Sequence, residues 1–374
     1  MSGVGNKTTT SDSEKYKVVF ANKATMSSFI DQLNQSSEEG YRLNTATYGY
    51  QILFGWAYSI PVGILQSDET QFEYASFEVI SRLFFAISGF EQKYAEQSKK
   101  GFRLVDYFLS KSVCDEQPSD VIVQTMPICA VTYQFLVERE KGAKAPIEFL
   151  MAEATPTFKR NPGRTLGSAI LEKWAEGFYP DRVLTNYQIL LAHADKTDLP
   201  PEPLEVQVVN SSFMNPVKKK IKTLGRQGFR LALISEECAV MYRRPDEQSP
   251  VSYEWLDAKN KKLEKELARL QESGAVYRMV YRYQPHSNEL VFERPINGSA
   301  RSSEYRVLKL SFQLENPPIR KDVLVSDPRV DLTPEAKMTV KLLNDLAREG
   351  FAVRDLFRPE FISNNVLVLL ERSK

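Results

Sequence analysis

The chain has 374 residues, 42% hydrophobic and 26% charged, enough for two or three ordinary domains and close to globular averages. With 49 Lys plus Arg against 48 Asp plus Glu, the formal charge of +1 excludes a global pull toward polyanions or acidic membranes. Two histidines, His193 and His286, exclude most histidine-based metal sites and triads. Three cysteines without C-x-x-C spacing argue against a disulfide framework and for a reducing, cytoplasmic setting.

Residues 1–15 are polar, lack the apolar core of a secretory signal, and read as a disordered tail. A first unit, 16–70, opens with the strand candidate YKVVF (16–20). It runs into a helix that stops at Gly40 in the phrase EEGYRL. A second, 71–140, opens with QFEYASFEV (71–79), stops its helix at Gly101 in KKGFRL, and closes with FLVERE (135–140). A third, 146–196, opens with PIEFLMAEA (146–154) and stops its helix at Gly177. The proline-rich TDLPPEP, 197–203, reads as a linker. A fourth, 204–245, has LEVQVV, a helix capped at Asn215-Pro216 and stopped at Gly228 in RQGFRL, then FRLALIS and CAVMYRRP. A fifth, 251–295, has VSYEWL, a helix stop at Gly274, VYRMVYRY (276–283) and ELVFERP (289–295). A sixth, 304–374, has EYRVLKLSF (304–312), an irregular stretch at 315–333, a helix from Thr333-Pro334 to Gly350, and NVLVLLERS (365–373).

The six glycines set a common register. Seven residues before them lie Leu33, Tyr94, Ile170, Ile221, Leu267 and Leu343; eleven before, all but Thr339 are apolar. Those spacings share one helical face, so six amphipathic helices end in phase. The glycine supplies a left-handed stop, and the residue after it, aromatic except at Ala275, folds back on the last turn. The fold class is therefore α+β: six tandem β-α-β-β repeat units with mainly antiparallel sheets and helices on one face. One unit has little core alone, so units are expected to pair, as two halves or three pairs.

The recurring pattern Y-x-V … L-x-x-x-x-x-x-G-[FY]-x-L … [LF]-x-R resembles a family of small bacterial domains of unknown function. Their single copies read roughly YKV … LNELGxEGWELV … FKR. Unit four (IKTLGRQGFRLALIS … VMYRR) and unit six (VKLLNDLAREGFAVRDLF … LLER) match it best. Phe or Tyr replaces the family's Trp, unit five has Ala275, and the early units carry insertions. The resemblance implies tandem copies over 16–373 and brings no catalytic residues.

No catalytic residue, metal-ligand set or cofactor is assigned. Asn161–Ser168, NPGRTLGS, has glycines and Arg160 and Arg164 for an anion, but no G-K-[ST], and reads as a helix start. His193 with Asp195 reads as a structural pair, and Cys238 as a core residue. Trp255–Gly274 holds too few heptads for a coiled coil. The leading expectation is a non-enzymatic scaffold or assembly subunit whose partner is another protein. Contact is expected through Ile52, Leu53, Phe54, Trp56, Tyr58 and Ile60, in the most apolar run of the chain, Ile52–Leu65. The competing reading of that run is a strand pair buried on both faces; it is too short and too broken to span a membrane. An alternative function is single-stranded nucleic-acid binding. Lys218, Lys219, Lys222 and Arg226 of a basic helix would act with Arg278 and Arg282, opposite Tyr277, Tyr281 and Tyr283. A third is a small-molecule sensor or undetected enzyme with a pocket between paired units.

Overall fold

A computed structural model describes residues 14–21, 25–53, 56–81, 87, 89–114, 129–153, 162–185, 188–194, 201–210, 214–235, 238–246, 248–281, 288–296, 303–314, 330–360 and 363–373. Unit 1 consists of β1 (Tyr16–Phe20), α1 (Met26–Glu38), β2 (Tyr41–Leu53) and β3 (Trp56–Ser67). Unit 2 has β4 (Phe72–Ser81), α2 (Phe90–Ser98), β5 (Arg103–Cys114) and β6 (Cys129–Glu140). Unit 3 has β7 (Phe149–Glu153), α3 (Pro162–Ala175), β8 (Phe178–Thr185) and β9 (Gln188–His193). Unit 4 has β10 (Glu205–Asn210), α4 (Met214–Arg226), β11 (Arg230–Ile234) and β12 (Cys238–Arg243). Unit 5 has β13 (Val251–Asp257), α5 (Leu263–Glu272), β14 (Val276–Tyr281) and β15 (Glu289–Pro295). Unit 6 has β16 (Ser303–Leu314), β17 (Val330–Leu332), α6 (Pro334–Arg348), β18 (Ala352–Phe357) and β19 (Asn365–Ser373).

Each unit forms its own antiparallel sheet in the order first–third–second, with β17 added to the outer edge of β16 in unit 6. Among the described residues no sheet is shared between units. The succession is cyclic instead. α1 packs on β4, α3 on β10, α4 on β13, α5 on β16, and α6 returns to β1. At the remaining step the Tyr94 ring of α2 meets Phe149 of β7 at 4.7 Å, and the Ile147 N–H donates to the Ser98 carbonyl.

The central strands show why the ring closes. Alternate side chains of a strand point to opposite faces. In β15, Leu290 and Phe292 enter the cluster shared with unit 6, and Val291 enters the cluster shared with unit 4. In β19, Leu369 packs toward unit 5, while Val366, Val368 and Leu370 pack toward unit 1. Each sheet thus has its own helix on one face and the preceding unit's helix on the other. Six hydrophobic clusters result, and each joins one unit to the next, including unit 6 to unit 1. A lone unit would leave one sheet face bare, and burial of that face is the main favourable term holding the ring together.

The linker does not separate two independent halves. Residues 197–200 lie outside the described residues, Pro203 is buried, and α3 packs on β10 across the connection. Gly167 makes that approach close, since a Cβ there would collide with the Val206 carbonyl. Gly225 of α4 does the same toward Val251 and Tyr253. The NPGRTLGS segment is accordingly the start of α3 from Pro162, and its second glycine is a packing residue.

Candidate functional site

The helix stops are as expected. Gly40, Gly101, Gly177, Gly228, Gly274 and Gly350 all have positive φ, from 70° to 98°. At Gly228, its N–H donates to the Gly225 carbonyl and the Phe229 N–H to the Leu224 carbonyl, the two bonds of a Schellman stop. Thr333 caps α6 by accepting from the Ala336 N–H at 3.2 Å. α4 begins at Met214, so Asn215-Pro216 lies inside its first turn rather than before it.

Beyond each glycine the second strand carries a β-bulge four residues on, at Asn44, Val105, Asp181, Ala232, Arg278 and Arg354. A bulge leaves a backbone N–H beside it outside the sheet ladder. The residue just before the bulge hands its N–H to a tyrosine hydroxyl. Leu43 donates to Tyr74 (2.8 Å), Leu231 to Tyr253 (2.8 Å), Tyr277 to Tyr305 (2.9 Å) and Val353 to Tyr16 (3.1 Å). In every one of these pairs the tyrosine sits on the first strand of the following unit, and Tyr16 of unit 1 follows unit 6. Ladder registers place Phe149 and Val206 at the corresponding sites of units 3 and 4. Phe149 lacks a hydroxyl, and Tyr94 of α2 takes the Leu104 N–H instead at 3.0 Å. At unit 3 the donor position is Pro180, which has no N–H, so the missing hydroxyl at Val206 leaves nothing unpaired.

Two of these tyrosines, Tyr74 and Tyr16, are bracketed by asparagines. Asn34 Oδ1 accepts from the Tyr74 N–H at 2.8 Å and its Nδ2 donates to the Tyr74 carbonyl at 3.1 Å. Asn344 repeats this on Tyr16 at 2.9 and 3.0 Å. Across the ladder from Tyr74, Tyr253 and Tyr305 stand the buried Glu138, Glu293 and Glu371. Arg103, Arg278 and Arg354 pair with them at 2.6, 2.5 and 2.6 Å, and Arg42 of unit 1 reaches Glu138 at 2.8 Å. Burial raises the Glu138 carboxyl above its ordinary 4.5, outweighing Arg103. Burial, reinforced by Glu371, pushes the Tyr305 hydroxyl up to about 12. These titratable groups hold joints.

The residues of the nucleic-acid reading do not gather on one face. The bulge at Arg278 reverses the strand's alternation, so Tyr277 and Tyr281 leave by opposite faces. Tyr277 is buried toward unit 6 and Tyr281 toward unit 4. Arg278 is committed to Glu293 and Lys218 to Glu289, and Lys222 lies over the Trp255 ring at 5.3 Å. Lys219 and Arg226 are exposed on α4. Arg282 and Tyr283 lie outside the described residues.

The apolar run divides. Ile60 is fully buried in the cluster between units 6 and 1, with Val62 and Ile64, so Ile60 is a core residue and not a docking one. Leu65 is buried toward unit 2. This stretch of β3 is covered on both faces, as a continuous apolar strand requires. The backbone of Ile52, Leu53, Trp56 and Tyr58 continues the β2–β3 ladder, and Phe54 lies outside the described residues. The ladder runs six pairs past the last partner of β1, from Tyr48↔Pro61 to Leu53↔Trp56.

Cys238 is buried, and its thiol is pushed up to about 12 by desolvation. The β5–β6 register sets Cys114 opposite Cys129, a placement the sequence spacing concealed. His193 ends β9 with its ring edge on Phe178 at 5.0 Å; Asp195 and His286 lie outside the described residues. Among the described residues no three His, Cys, Asp or Glu side chains gather as a metal set. No helix there is long and apolar enough to cross a membrane. Comparison with protein-family models, curated proteins and solved structures finds no match.

Proposed function

We propose that this chain is a non-enzymatic ring scaffold, built of tandem copies of the small bacterial domain type it resembles, whose partner is another protein. The observation that carries the reading is the hairpin arm of unit 1. β1 pairs with β3 as far as Val62 and the Ala21 N–H still reaches the Pro61 carbonyl; among the described residues the five ladder pairs beyond, Gly49↔Ile60 to Leu53↔Trp56, have no third strand. Open strand edges pair readily with another chain, and a two-stranded ribbon gains stability when a partner completes it. The arm's ladder includes Ile52, Leu53, Trp56 and Tyr58, within the apolar run Ile52–Leu65. The ionisable groups of the joints support the non-enzymatic half of the reading, because the buried Glu138, Glu293 and Glu371 are each paired with an arginine across a joint strand.

Affinity capture with the tagged chain and its Trp56→Asp variant tests this, with thermal unfolding as the control for folding. The wild type is expected to retain a stoichiometric protein partner that the equally stable variant loses by at least about tenfold, roughly 1.4 kcal/mol of binding. Equal recovery by both, or no partner with either, overturns the proposal.

A further inference from the structure

The geometry points to the joint between units 6 and 1 as a docking surface that a second copy of this chain can fill, giving rings closed by exchange. The joint is built from the units themselves and not from a connecting peptide. Tyr16 is held by Asn344 and by the Val353 N–H just as Tyr74 is held by Asn34 and the Leu43 N–H. Each of the six bonds, three at each joint, lies between 2.8 and 3.1 Å. Yet units 1 and 2 are joined directly by residues 68–71, whereas β1 and β19 are connected only through the units between them. The other four joints are spanned by 141–148, 194–204, 244–250 and 296–302.

The surface is also substantial and directional. Tyr16, Ile60, Val62 and Ile64 on the unit 1 side meet Leu343, Phe351, Val368 and Leu370 among others on the unit 6 side. Phe20 and Phe312 pack ring to ring at 5.9 Å. Opened here, the chain is an arc with a tyrosine-bearing strand at one end and its socket at the other. Two such ends match head to tail, the heterologous contact that closes into a larger ring when copies meet. Within one chain the two ends are held at high effective concentration, which favours the single-chain ring when dilute. Concentrated folding favours exchange by mass action.

The test refolds the full chain from denaturant at ~1 µM and ~200 µM, where mass action separates the two outcomes, and measures mass by light scattering after size exclusion. The account expects a dimer fraction at least about tenfold larger at the higher concentration, persisting on dilution because each exchanged joint is a complete native one. A photo-crosslinking phenylalanine at position 20, in a mixture of light- and heavy-isotope chains, locates the exchange. In the dimer its crosslinks to unit 6 are expected to join light to heavy chains about half the time. In the single-chain ring they stay within one chain. A species that stays monomeric at both concentrations, or a dimer whose position-20 crosslinks never join two chains, overturns the proposal.

Discussion

Alanine at three of the helix-stop glycines should destabilise the protein in a graded order, Gly228→Ala most, Gly101→Ala next and Gly40→Ala least. All three have nearly the same φ, 86°, 85° and 86°, so the penalty of a left-handed backbone, about 1–2 kcal/mol, is common to them. What differs is the space a Cβ would enter. At Gly40 the nearest heavy atom is the Asp68 carbonyl oxygen at 3.6 Å, an ordinary contact that adds nothing. At Gly101 the Ala145 carbonyl oxygen lies at 3.0 Å, tight enough for a neighbour to yield slightly. At Gly228 the Cβ would collide with the Gln248 carbonyl oxygen and lie 3.0 Å from its carbon. Backbone must move there, adding about 1–3 kcal/mol of overpacking strain. The affected segment also anchors the joint between units 4 and 5, through the Arg230 bond to the Ser249 carbonyl at 2.9 Å. Expected losses are therefore about 1–2 kcal/mol at Gly40 and about 2–5 kcal/mol at Gly228. Urea titrations followed by circular dichroism read these losses as midpoint shifts at constant slope. Equal losses at the three sites, or Gly40→Ala the worst of them, would refute the packing argument.

Replacing Asn344 by Ala strips the partners from the buried Tyr16 N–H and carbonyl and should lower stability by roughly 2–4 kcal/mol, measured by the same titration. An effect below about 0.5 kcal/mol, the size of an ordinary surface change, would show that the bracket contributes nothing. Glu138 gives a pH signature. Its carboxyl is raised in the folded state, so the stability it contributes is present below the unfolded value near 4.5 and is lost as pH rises through the folded value. The stability difference, wild type minus Glu138→Gln, should therefore fall with rising pH from acid toward neutral; a difference that rises would reverse the assignment. In a Cys114→Ser, Cys129→Ser background the buried Cys238 should resist thiol reagents at neutral pH until the protein unfolds, and rapid labelling of the native chain would contradict its burial.

Much of the architecture can be read from the residues. The helix-period apolar positions before each glycine, and the alternation of the strands around it, locate helices and strands because both periods follow from local geometry. The bulges escape such reading. Asn44, Val105, Asp181, Ala232, Arg278 and Arg354 share no side-chain chemistry; what they share is a distance from the glycine. The bulge is also why Tyr277 and Tyr281, four apart, fail to share a face. The tyrosine begins a Y-x-V at Tyr16 and Tyr305 and stands on the corresponding strand without the valine at Tyr74 and Tyr253. Its role is visible only once Val353 is known to lie beside Tyr16, a contact between residues 337 apart in sequence. Ring closure is invisible for the same reason, since no local pattern encodes which unit meets which. One signal was available: Pro180 and Val206 depart together from the donor and acceptor pattern. The same limit explains the apolar run. Composition distinguishes neither Ile60, buried at the joint, from Trp56, in the arm beyond it, nor a core strand from a docking one.

The closed ring is tested most directly by methyl nuclear Overhauser measurements on deuterated protein with labelled Ile, Leu and Val methyls. The account predicts cross-peaks from Ile60, Val62 and Ile64 to unit 6 methyls drawn from Leu310, Leu343, Val368 and Leu370. Cross-peaks of these three residues confined to their own unit would contradict it.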